Sequence, residues 1–497
     1  MTAAGAARLS ARNLSQVQDS IRVPQFARED LTTRIVHIGV GAFHRCHQAD
    51  FLQDVVEAGH PVGMAGINLA PPGIVPVLGP QDGLYSRTLA DGDACETRVI
   101  GVITEVADHA AAPARCLALL ADPAVTTVTM TVTEKGYCHI PATGELDPGH
   151  AGIRHDLDTR LAAPATLPGF LVAALAARRA AGAGAINLIS CDNIAGNGVV
   201  LRNVVLAMAG AAGGDLARWI EDHAAFPSTM VDRIVPATRA ADRARIEAAL
   251  GLADAGAVMG EKFRQWVIED SFRAPRPPWE AAGVEIVADV TPHEHVKMRV
   301  LNAAQTTLSL LGALAGHEYS ADAVRDPALA GFTGAMIARE TLPHLPQVPG
   351  MEGAAYLARS LERIRNAALG HRCQQIATDT SQKIRQRLLD PLRLTRAAGE
   401  AAPGLETAIA AWIAWLAAGQ PAFGGRWEVA DPVAGAAAAL ARDTRGDLGA
   451  FARGTLALEP IFGADLAQDA ALADRVAGRV SALMDGAPPM AVAGYAA

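Results

Sequence analysis

The glycine pair Gly39-Val40-Gly41 is the first arrangement in the chain that could carry out chemistry. A β-branched run, 34–40, ends in these glycines, and a helical stretch follows near residues 48–58. At a turn from a strand to a helix, the missing side chains let backbone N–H groups and the helix dipole approach a pyrophosphate. His44 occupies the third position of the usual G-x-G-x-x-G pattern, so an ordinary glycine turn explains these residues equally well.

The end of the next apolar run bears on which dinucleotide such a turn would hold. An acidic residue there would hydrogen-bond the ribose hydroxyls of NAD, whereas a nearby arginine would suit the 2′-phosphate of NADP. The sequence at this point is Asn68-Leu69-Ala70-Pro71-Pro72, which offers neither. The residues themselves therefore do not distinguish NAD from NADP.

Three polar side chains share one half of a helix that is predicted to begin after residue 291. At 100° per residue, Lys297, Gln305 and Asn302 lie at about 0°, 80° and 140° around the helix axis. They could face one cleft. Taken alone, a lysine on a helix is explained at least as well by a solvated surface, so the spacing by itself assigns no role.

Alternating strands and helices must position these residues. Four apolar, β-branched runs alternate with helical stretches: 34–40, 62–69, 124–133 and 185–190. Strands buried on both faces have this continuous apolar character, and the alternation predicts a doubly wound parallel sheet of the α/β class. After a last strand-like segment, 284–290, the pattern changes to helical periodicity, with alanine-rich stretches such as 401–416. We predict a Rossmann-like domain over residues 1–290 and a mainly α-helical domain over residues 291–497.

The composition excludes several classes of protein. Of 497 residues, 50% are hydrophobic and 19% charged, which is typical of globular domains with large cores. A total of 43 Lys and Arg against 52 Asp and Glu gives a net charge of -9, which disfavours a nucleic-acid partner. Six scattered cysteines without a C-x-x-C pair indicate a reducing compartment. With no signal-peptide core and no apolar run near the roughly 18 residues of a membrane span, we expect a cytoplasmic monomer or small homo-oligomer with a small-molecule partner.

Two features that could suggest other chemistry are better explained as structural. His293-Glu294-His295 contains two potential metal ligands, but residues two apart on a helix point about 200° away from each other. Cys191 has no histidine near it in sequence that could activate a thiol, so burial at a strand end is the better explanation. We predict no metal site and no cysteine nucleophile.

A longer string around the glycine turn carries a family resemblance. Gly39-Val40-Gly41-Ala42-Phe43-His44-Arg45-Cys46-His47-Gln48 resembles the G-x-G-x-F-H-R-x-H-Q segment of the polyol-specific long-chain dehydrogenase/reductase (mannitol dehydrogenase) family. Further similar segments follow in order along the chain: 81–85, 131–138, 190–193, 197–198, 230–234 and 263–270. The resemblance implies a dinucleotide site formed by Gly39, Gly41, Ala42, Phe43 and Asn68, with NAD as the usual cofactor of the family.

The same resemblance implies roles for the helix that follows residue 291. Lys297 and Asn302 match the family signature K-x-x-x-x-N-x-x-H, in which the lysine is the general base that takes the proton of the substrate hydroxyl. Because a lysine with a pKa near 10.4 is a poor base at neutral pH, we expect desolvation in the cleft between the domains to lower that pKa. Asn302 and Asn193 would donate hydrogen bonds to the developing oxyanion, and a helix N-cap is an alternative for Asn193.

Gln305 departs from the signature, which has histidine at this position. Glutamine can donate and accept hydrogen bonds but cannot carry a proton, so we expect an orienting contact to survive and activity to be reduced or altered. Asp232 resembles an active-site aspartate of the family that holds Lys297 or a proton path. A salt bridge to Arg233 or a helix cap is the alternative for that carboxylate.

Segments near residues 371–393 and at 67–69 look most like the family members that interconvert D-fructuronate and D-mannonate. The carboxylate of a sugar acid needs a cationic anchor, which Lys383 or Arg372 could supply, although Arg372 and His371 resemble surface groups. The first alternative is a polyol dehydrogenase acting on mannitol or arabinitol. The second, suggested by Gln305, is a non-catalytic protein that binds a dinucleotide or a sugar acid, against which the intact Lys297 and Asn302 argue.

Overall fold

A computed structural model describes residues 7–92, 94–140 and 143–495 of the protein. The chain forms two compact units, Met1–Thr291 and Pro292–Ala497. The strands of the first unit are β1 Thr32–Ile38, β2 Val62–Asn68, β3 Tyr85–Asp91, β4 Ala94–Ile100, β5 Ile103–Asp108, β6 Thr127–Met130, β7 His139–Ile140, β8 Glu145–Leu146, β9 Ile186–Ser190, β10 Ala224–Ala225, β11 Thr229–Asp232, β12 Val258–Gly260, β13 Gln265–Glu269 and β14 Glu285–Val287. Its helices are α1 Ala42–Cys46, α2 Gln48–Glu57, α3 Val75–Leu78, α4 Pro113–Ala121, α5 Ala151–Asp158, α6 Leu167–Ala180, α7 Asn197–Ala212, α8 Leu216–His223 and α9 Ala240–Leu250.

A six-stranded sheet forms the centre of the N-terminal unit, in the order β10-β9-β6-β1-β2-β5, and every neighbouring pair in it is parallel. Successive side chains of β1 enter different cores: Ile35 belongs to the core that includes Phe51 of α2, whereas Val36 belongs to the core that includes Phe170 of α6. Helices therefore cover both faces, which explains why the strands are continuously apolar. The predicted doubly wound α/β fold is confirmed.

Besides the two-stranded β7–β8 sheet, two three-stranded sheets were not predicted from the sequence. Antiparallel β3 and β4 join β12 in one of them, and β11, β13 and β14 form the other. The strand-like segment predicted at 284–290 is β14, which pairs with β13 in the second small sheet. The pairs β12–β3 and β11–β13 join segments that are far apart in sequence, so local pattern does not reveal them, whereas β3 and β4 form a short hairpin.

The C-terminal unit is helical. Beyond α10 Thr291–Val296, its α-helices are α11 Ala303–Ala315, α12 Ser320–Ala323, α13 Pro327–Met336, α14 Gly353–Ile364, α15 Cys373–Ala377, α16 Thr380–Ile384, α17 Asp390–Ala397, α18 Pro403–Ala418, α19 Ala434–Asp443, α20 Leu448–Leu456, α21 Glu459–Ala467, α22 Ala470–Met484 and α23 Pro489–Val492. The alanine-rich α18 is buried along almost its whole length and packs against α11 and α22, because alanine lets helices approach closely. Within the described ranges, no helix is long and apolar enough to cross a membrane.

The helix that carries the predicted catalytic lysine differs from the expected regular α-helix. Its middle segment, Lys297–Asn302, is π-helical, and the N–H of Ala303 donates to the carbonyl of Met298, five residues earlier. The 140° separation of Lys297 and Asn302 expected for an α-helix is therefore wrong. In a π turn, residues five apart lie nearly above one another, whereas in an α turn residues four apart do so. Segments of π-helix occur frequently at functional sites.

Candidate active site

The glycine turn lies at the carboxyl end of β1, between β2 and β6. Gly39 has a φ of +91°, and a Cβ atom built on it would lie 2.2 Å from the carbonyl oxygen of Thr131. Only glycine fits this position without a backbone shift. Gly41 differs: its φ is ordinary, it is exposed, and the nearest atom to a Cβ there is 3.8 Å away. Gly39 is therefore required by the conformation of the turn, while Gly41 leaves the solvent-exposed side of the turn accessible.

The turn fits a dinucleotide. The chain leaves β1 where the sheet order reverses between β2 and β6, the place where open α/β sheets bind ligands. Gly41 is the N-cap of α1, and Ala42 and Phe43 are its first residues. Their N–H groups have no carbonyl within the helix to bond, so they can donate to a phosphate.

Asn68, at the end of β2, stabilises the turn itself. Its Oδ1 accepts the N–H of Val40 at 2.8 Å, and its Nδ2 donates to the carbonyl of Pro72 at 3.0 Å. The acid on the neighbouring strand, Asp108 of β5, accepts the N–H groups of Ile74 and Val75. Both polar side chains at these strand ends thus make local backbone contacts. Neither distinguishes NAD from NADP.

Asn193 lies in the exposed turn between β9 and α7. The N-cap of α7 is Gly196, so the alternative of a helix cap by Asn193 is wrong. The neighbouring Asp192 holds the turn in place: its carboxylate accepts the N–H groups of Val132 and Thr133 and the hydroxyl of Tyr137, at 2.8 to 3.0 Å. Burial raises the pKa of this carboxyl to about 6, even though those donors favour its charged form. Sequence reasoning missed this anchor.

Asp232 is the last residue of β11 and is buried. The adjacent Arg233 directs its guanidinium to Asp50, with Nη1 2.9 Å from Oδ2, and also donates to the carbonyl of Cys46. Arg233 therefore has an ionic partner on α2, the second helix after the glycine turn. This places Arg233 in the framework of the N-terminal unit.

In the C-terminal unit, the three residues predicted on one helix are all buried, at 3% exposure for Lys297, 8% for Asn302 and 9% for Gln305. A solvated surface for this lysine is thus wrong. Asn302 Oδ1 is buried and accepts no hydrogen bond from the described residues. A buried acceptor without a donor is uncommon in folded proteins and suits a ligand hydroxyl.

His371, expected to be a surface group, is half-buried and contacts this helix instead. Its Nδ1 lies 3.3 Å from Nε2 of Gln305. Burial and the nearby ammonium of Lys383 lower the pKa of His371 to about 4. Lys383 itself donates to the carbonyl of Thr378 at 2.7 Å. Arg372, in contrast, forms an exposed ion pair with Glu318.

The structure also shows the surroundings of the two features set aside in the sequence. Within residues 7–92, 94–140 and 143–495, no group of three histidine, cysteine or acidic side chains is arranged to hold a metal ion. Cys191 is buried, and burial raises the pKa of its thiol, which opposes formation of a nucleophilic thiolate.

Comparison with known proteins assigns the family. The model of the mannitol dehydrogenase Rossmann domain matches residues 33–281, and that of the mannitol dehydrogenase C-terminal domain matches residues 289–484. The protein belongs to the mannitol dehydrogenase family of oxidoreductases. The resemblance read from the glycine-turn motif is confirmed.

Individual relatives span most of the chain. D-mannonate oxidoreductase of Escherichia coli (strain K12) is 39% identical over 415 residues, 82% of this chain and 85% of that protein. A mannitol 2-dehydrogenase of Phaeosphaeria nodorum is 35% identical over 472 residues, 93% and 81% of the two chains. The solved Pseudomonas fluorescens mannitol 2-dehydrogenase, a ternary complex with NAD and D-mannitol, is 31% identical with a TM-score of 0.88, covering 98% of this chain and 99% of that one.

Proposed function

We propose that this oxidoreductase is NAD-dependent and interconverts a keto-sugar acid and its sugar acid, D-fructuronate and D-mannonate. One observation carries the substrate class: the ammonium of Lys383 lies close enough to His371 to lower its pKa, and His371 contacts Gln305 on the helix that also bears Lys297. A cation there can bind a substrate carboxylate through a charge-assisted hydrogen bond. The 39% identity to a D-mannonate oxidoreductase supports the same choice.

The N-terminal unit holds the cofactor in this proposal. Gly39 and Gly41 give the backbone close access, and the N–H groups of Ala42 and Phe43 donate to the pyrophosphate. Asn68 keeps the turn in shape through Val40. When bound, NAD would supply the acceptor for the hydride that leaves the carbinol carbon of the substrate. The choice of NAD over NADP is supported by the NAD in the solved mannitol 2-dehydrogenase.

Lys297 is the general base in the oxidation direction. Its neutral amine takes the hydroxyl proton as the O–H bond of the substrate breaks, and its ammonium returns a proton to the carbonyl oxygen during reduction. Because the residue is 3% exposed, bulk water competes little for that proton. The unpaired Oδ1 of Asn302 can accept from a neighbouring hydroxyl of the substrate, and its Nδ2 can donate to the reacting oxygen as negative charge develops. Roles for Asn193 and Asp232 stay predictions for substitution experiments.

A polyol dehydrogenase is the second candidate. It is favoured by the TM-score of 0.88 to a mannitol 2-dehydrogenase over nearly the whole length of both chains. A neutral polyol gains only a hydrogen bond from the ammonium at residue 383, whereas a sugar acid also gains the attraction between opposite charges. The two candidates therefore differ in how strongly turnover depends on the Lys383 charge.

Turnover by the purified protein tests the proposal. Oxidation of NADH and of NADPH is followed with D-fructuronate, D-tagaturonate, D-fructose and D-xylulose, with Lys297→Ala as the control. We expect NADH oxidation with D-fructuronate that the variant loses. Turnover of D-fructose alone would favour the polyol dehydrogenase, and NADH binding without turnover of any substrate would favour a non-catalytic binding protein.

A further inference from the structure

His371 is held in a fixed position by its backbone. It follows Gly370, which has a φ of +55°, and precedes α15. Its carbonyl accepts the N–H of Ser320 at 2.9 Å, and two residues later the N–H of Cys373 donates to the carbonyl of Glu318, also at 2.9 Å. These hydrogen bonds fix the backbone on both sides of His371. Its side chain is the part that can still move to contact a ligand.

Tight helix packing directs this segment toward Gln305. Gly312 lies seven residues after Gln305 on α11, two turns along the same helix face. A Cβ atom at Gly312 would lie 2.6 Å from Cβ of Ala323 and 3.2 Å from Sγ of Cys373. The glycine therefore allows the segment that contains Cys373 to approach the face that bears Gln305.

The contact with Gln305 determines which ring nitrogen of His371 carries the proton. An amide nitrogen is only a donor, so Nδ1 of His371 accepts from Nε2 of Gln305 across their 3.3 Å separation. With a pKa of about 4, caused by burial and by Lys383, the ring is neutral at pH 7 and has a single N–H. That hydrogen is then on Nε2.

This Nε2–H group points to a ligand. Nε2 of His371 makes no hydrogen bond to any residue that the structure describes, although the side chain is half-buried and its ring is oriented by Gln305. A donor that the protein orients but does not use is available for an oxygen of a bound molecule.

We infer that His371 is a substrate-binding residue of this enzyme, whose Nε2–H donates to a hydroxyl of the sugar chain next to the carboxylate held by Lys383. The inference rests on the proposed function, since it takes a sugar acid as the ligand. Gln305 acts through His371 as a positioning residue, because its amide fixes the ring. Neither residue transfers a proton in the reaction.

Two substitutions separate the two ring nitrogens. In His371→Asn, the amide occupies the region of Nδ1 and can still contact Gln305, but the donor at Nε2 is gone. In His371→Gln, the longer side chain brings an amide N–H to the region of Nε2. His317→Asn is the matched control, since His317 lies in the same unit with its Nε2 3.5 Å from Asp326.

The steady-state constants for D-fructuronate reduction then test the inference. For His371→Asn we expect KM to rise about 10-fold with kcat within about twofold, because the loss of one hydrogen bond weakens binding of the substrate and of the transition state alike. His371→Gln is expected to recover most of that loss, and His317→Asn to leave KM unchanged. All variants should bind NADH and melt as the wild type does.

Either of two results would overturn the inference. One is a wild-type KM in His371→Asn. The other is an equal loss in His371→Asn and His371→Gln together with a lower melting temperature, which would indicate a structural role. Wild-type turnover of D-fructuronate is the reference for both results. An inactive wild type would contradict the proposed function. An active wild type whose KM does not depend on His371 would contradict only this inference.

Discussion

Replacing Asp50 by asparagine should destabilise the N-terminal unit far more than the loss of an ordinary salt bridge. Asp50 is on α2, the second helix after the glycine turn, and its side chain is 2% exposed. Four arginines contact its carboxylate at 2.7 to 2.9 Å: Arg87, Arg98, Arg233 and Arg264. Burial alone would raise the pKa of Asp50, but these guanidinium groups outweigh it and hold the pKa well below its usual range.

The expected magnitude follows from the burial of the partners. The side chains of Arg87, Arg98 and Arg233 are at most 4% exposed, so Asp50→Asn leaves buried cations without their shared counter-charge. Breaking a buried ion pair by removing one partner costs about 3–5 kcal/mol. That is a large part of the roughly 5–15 kcal/mol by which folded proteins are stable. We therefore expect a loss of unfolding free energy of about 3 kcal/mol or more.

Glu105→Gln is the matched control. It also removes one carboxylate charge, but Glu105 and its partner Arg115 are 36% and 53% exposed, and exposed pairs contribute about 0–1 kcal/mol. Urea unfolding at pH 7.5 is followed by tryptophan fluorescence, to which the buried Trp266 and Trp279 of the N-terminal unit contribute. A midpoint shift for Asp50→Asn no larger than that for Glu105→Gln would refute the argument from burial.

Three further predictions concern acid stability, the glycine turn and the carboxylate anchor. Three histidines of the N-terminal unit are fully buried: His37, His44 and His47. Burial lowers their pKa values, to about 3 for the first and last, so their contribution to stability is present above pH 6.5 and lost as pH falls toward 3. The raised pKa of Asp192, about 6, offsets one of these three protons. The net loss is then on the order of 3 kcal/mol per pH unit below pH 6, to be measured by urea unfolding from pH 7.5 to 5. Gly39→Ala should unfold or distort the turn, whereas Gly41→Ala should melt as the wild type does and bind NADH more weakly in a fluorescence titration; equal behaviour of the two would contradict the assignment. Lys383→Met should raise KM for D-fructuronate about 10- to 100-fold, since hydrogen bonds to charged groups contribute about 1.5–3 kcal/mol, and an unchanged KM would remove Lys383 from the site.

The parallel sheet was predictable because its signals are local. The runs that became β1, β2, β6 and β9 are apolar on both faces, and each such run can be recognised from a few consecutive residues. The glycine turn was predictable for the same reason. Gly39, which has a positive φ, and the family motif around it lie within ten consecutive residues.

The remaining features depend on residues far apart in sequence. Nothing local to α2 indicates that Asp50 meets four arginines, one of them 214 residues away. His371 looked like a surface group because its contact with Gln305 spans 66 residues. The π-helical turn at Lys297–Asn302 was also missed, since a regular period of 3.6 residues was assumed for the helix.

Chemical rescue can show whether Lys297 transfers the proton, as proposed. NADH oxidation with D-fructuronate is measured for the wild type, for Lys297→Ala, and for Lys297→Ala with added methylamine, which can enter the space left by the side chain. We expect the substitution to lower kcat about 10²- to 10⁴-fold, as for the loss of a general acid–base, and methylamine to restore part of that rate in proportion to its concentration. A Lys297→Ala variant that retains near wild-type kcat would contradict the claim.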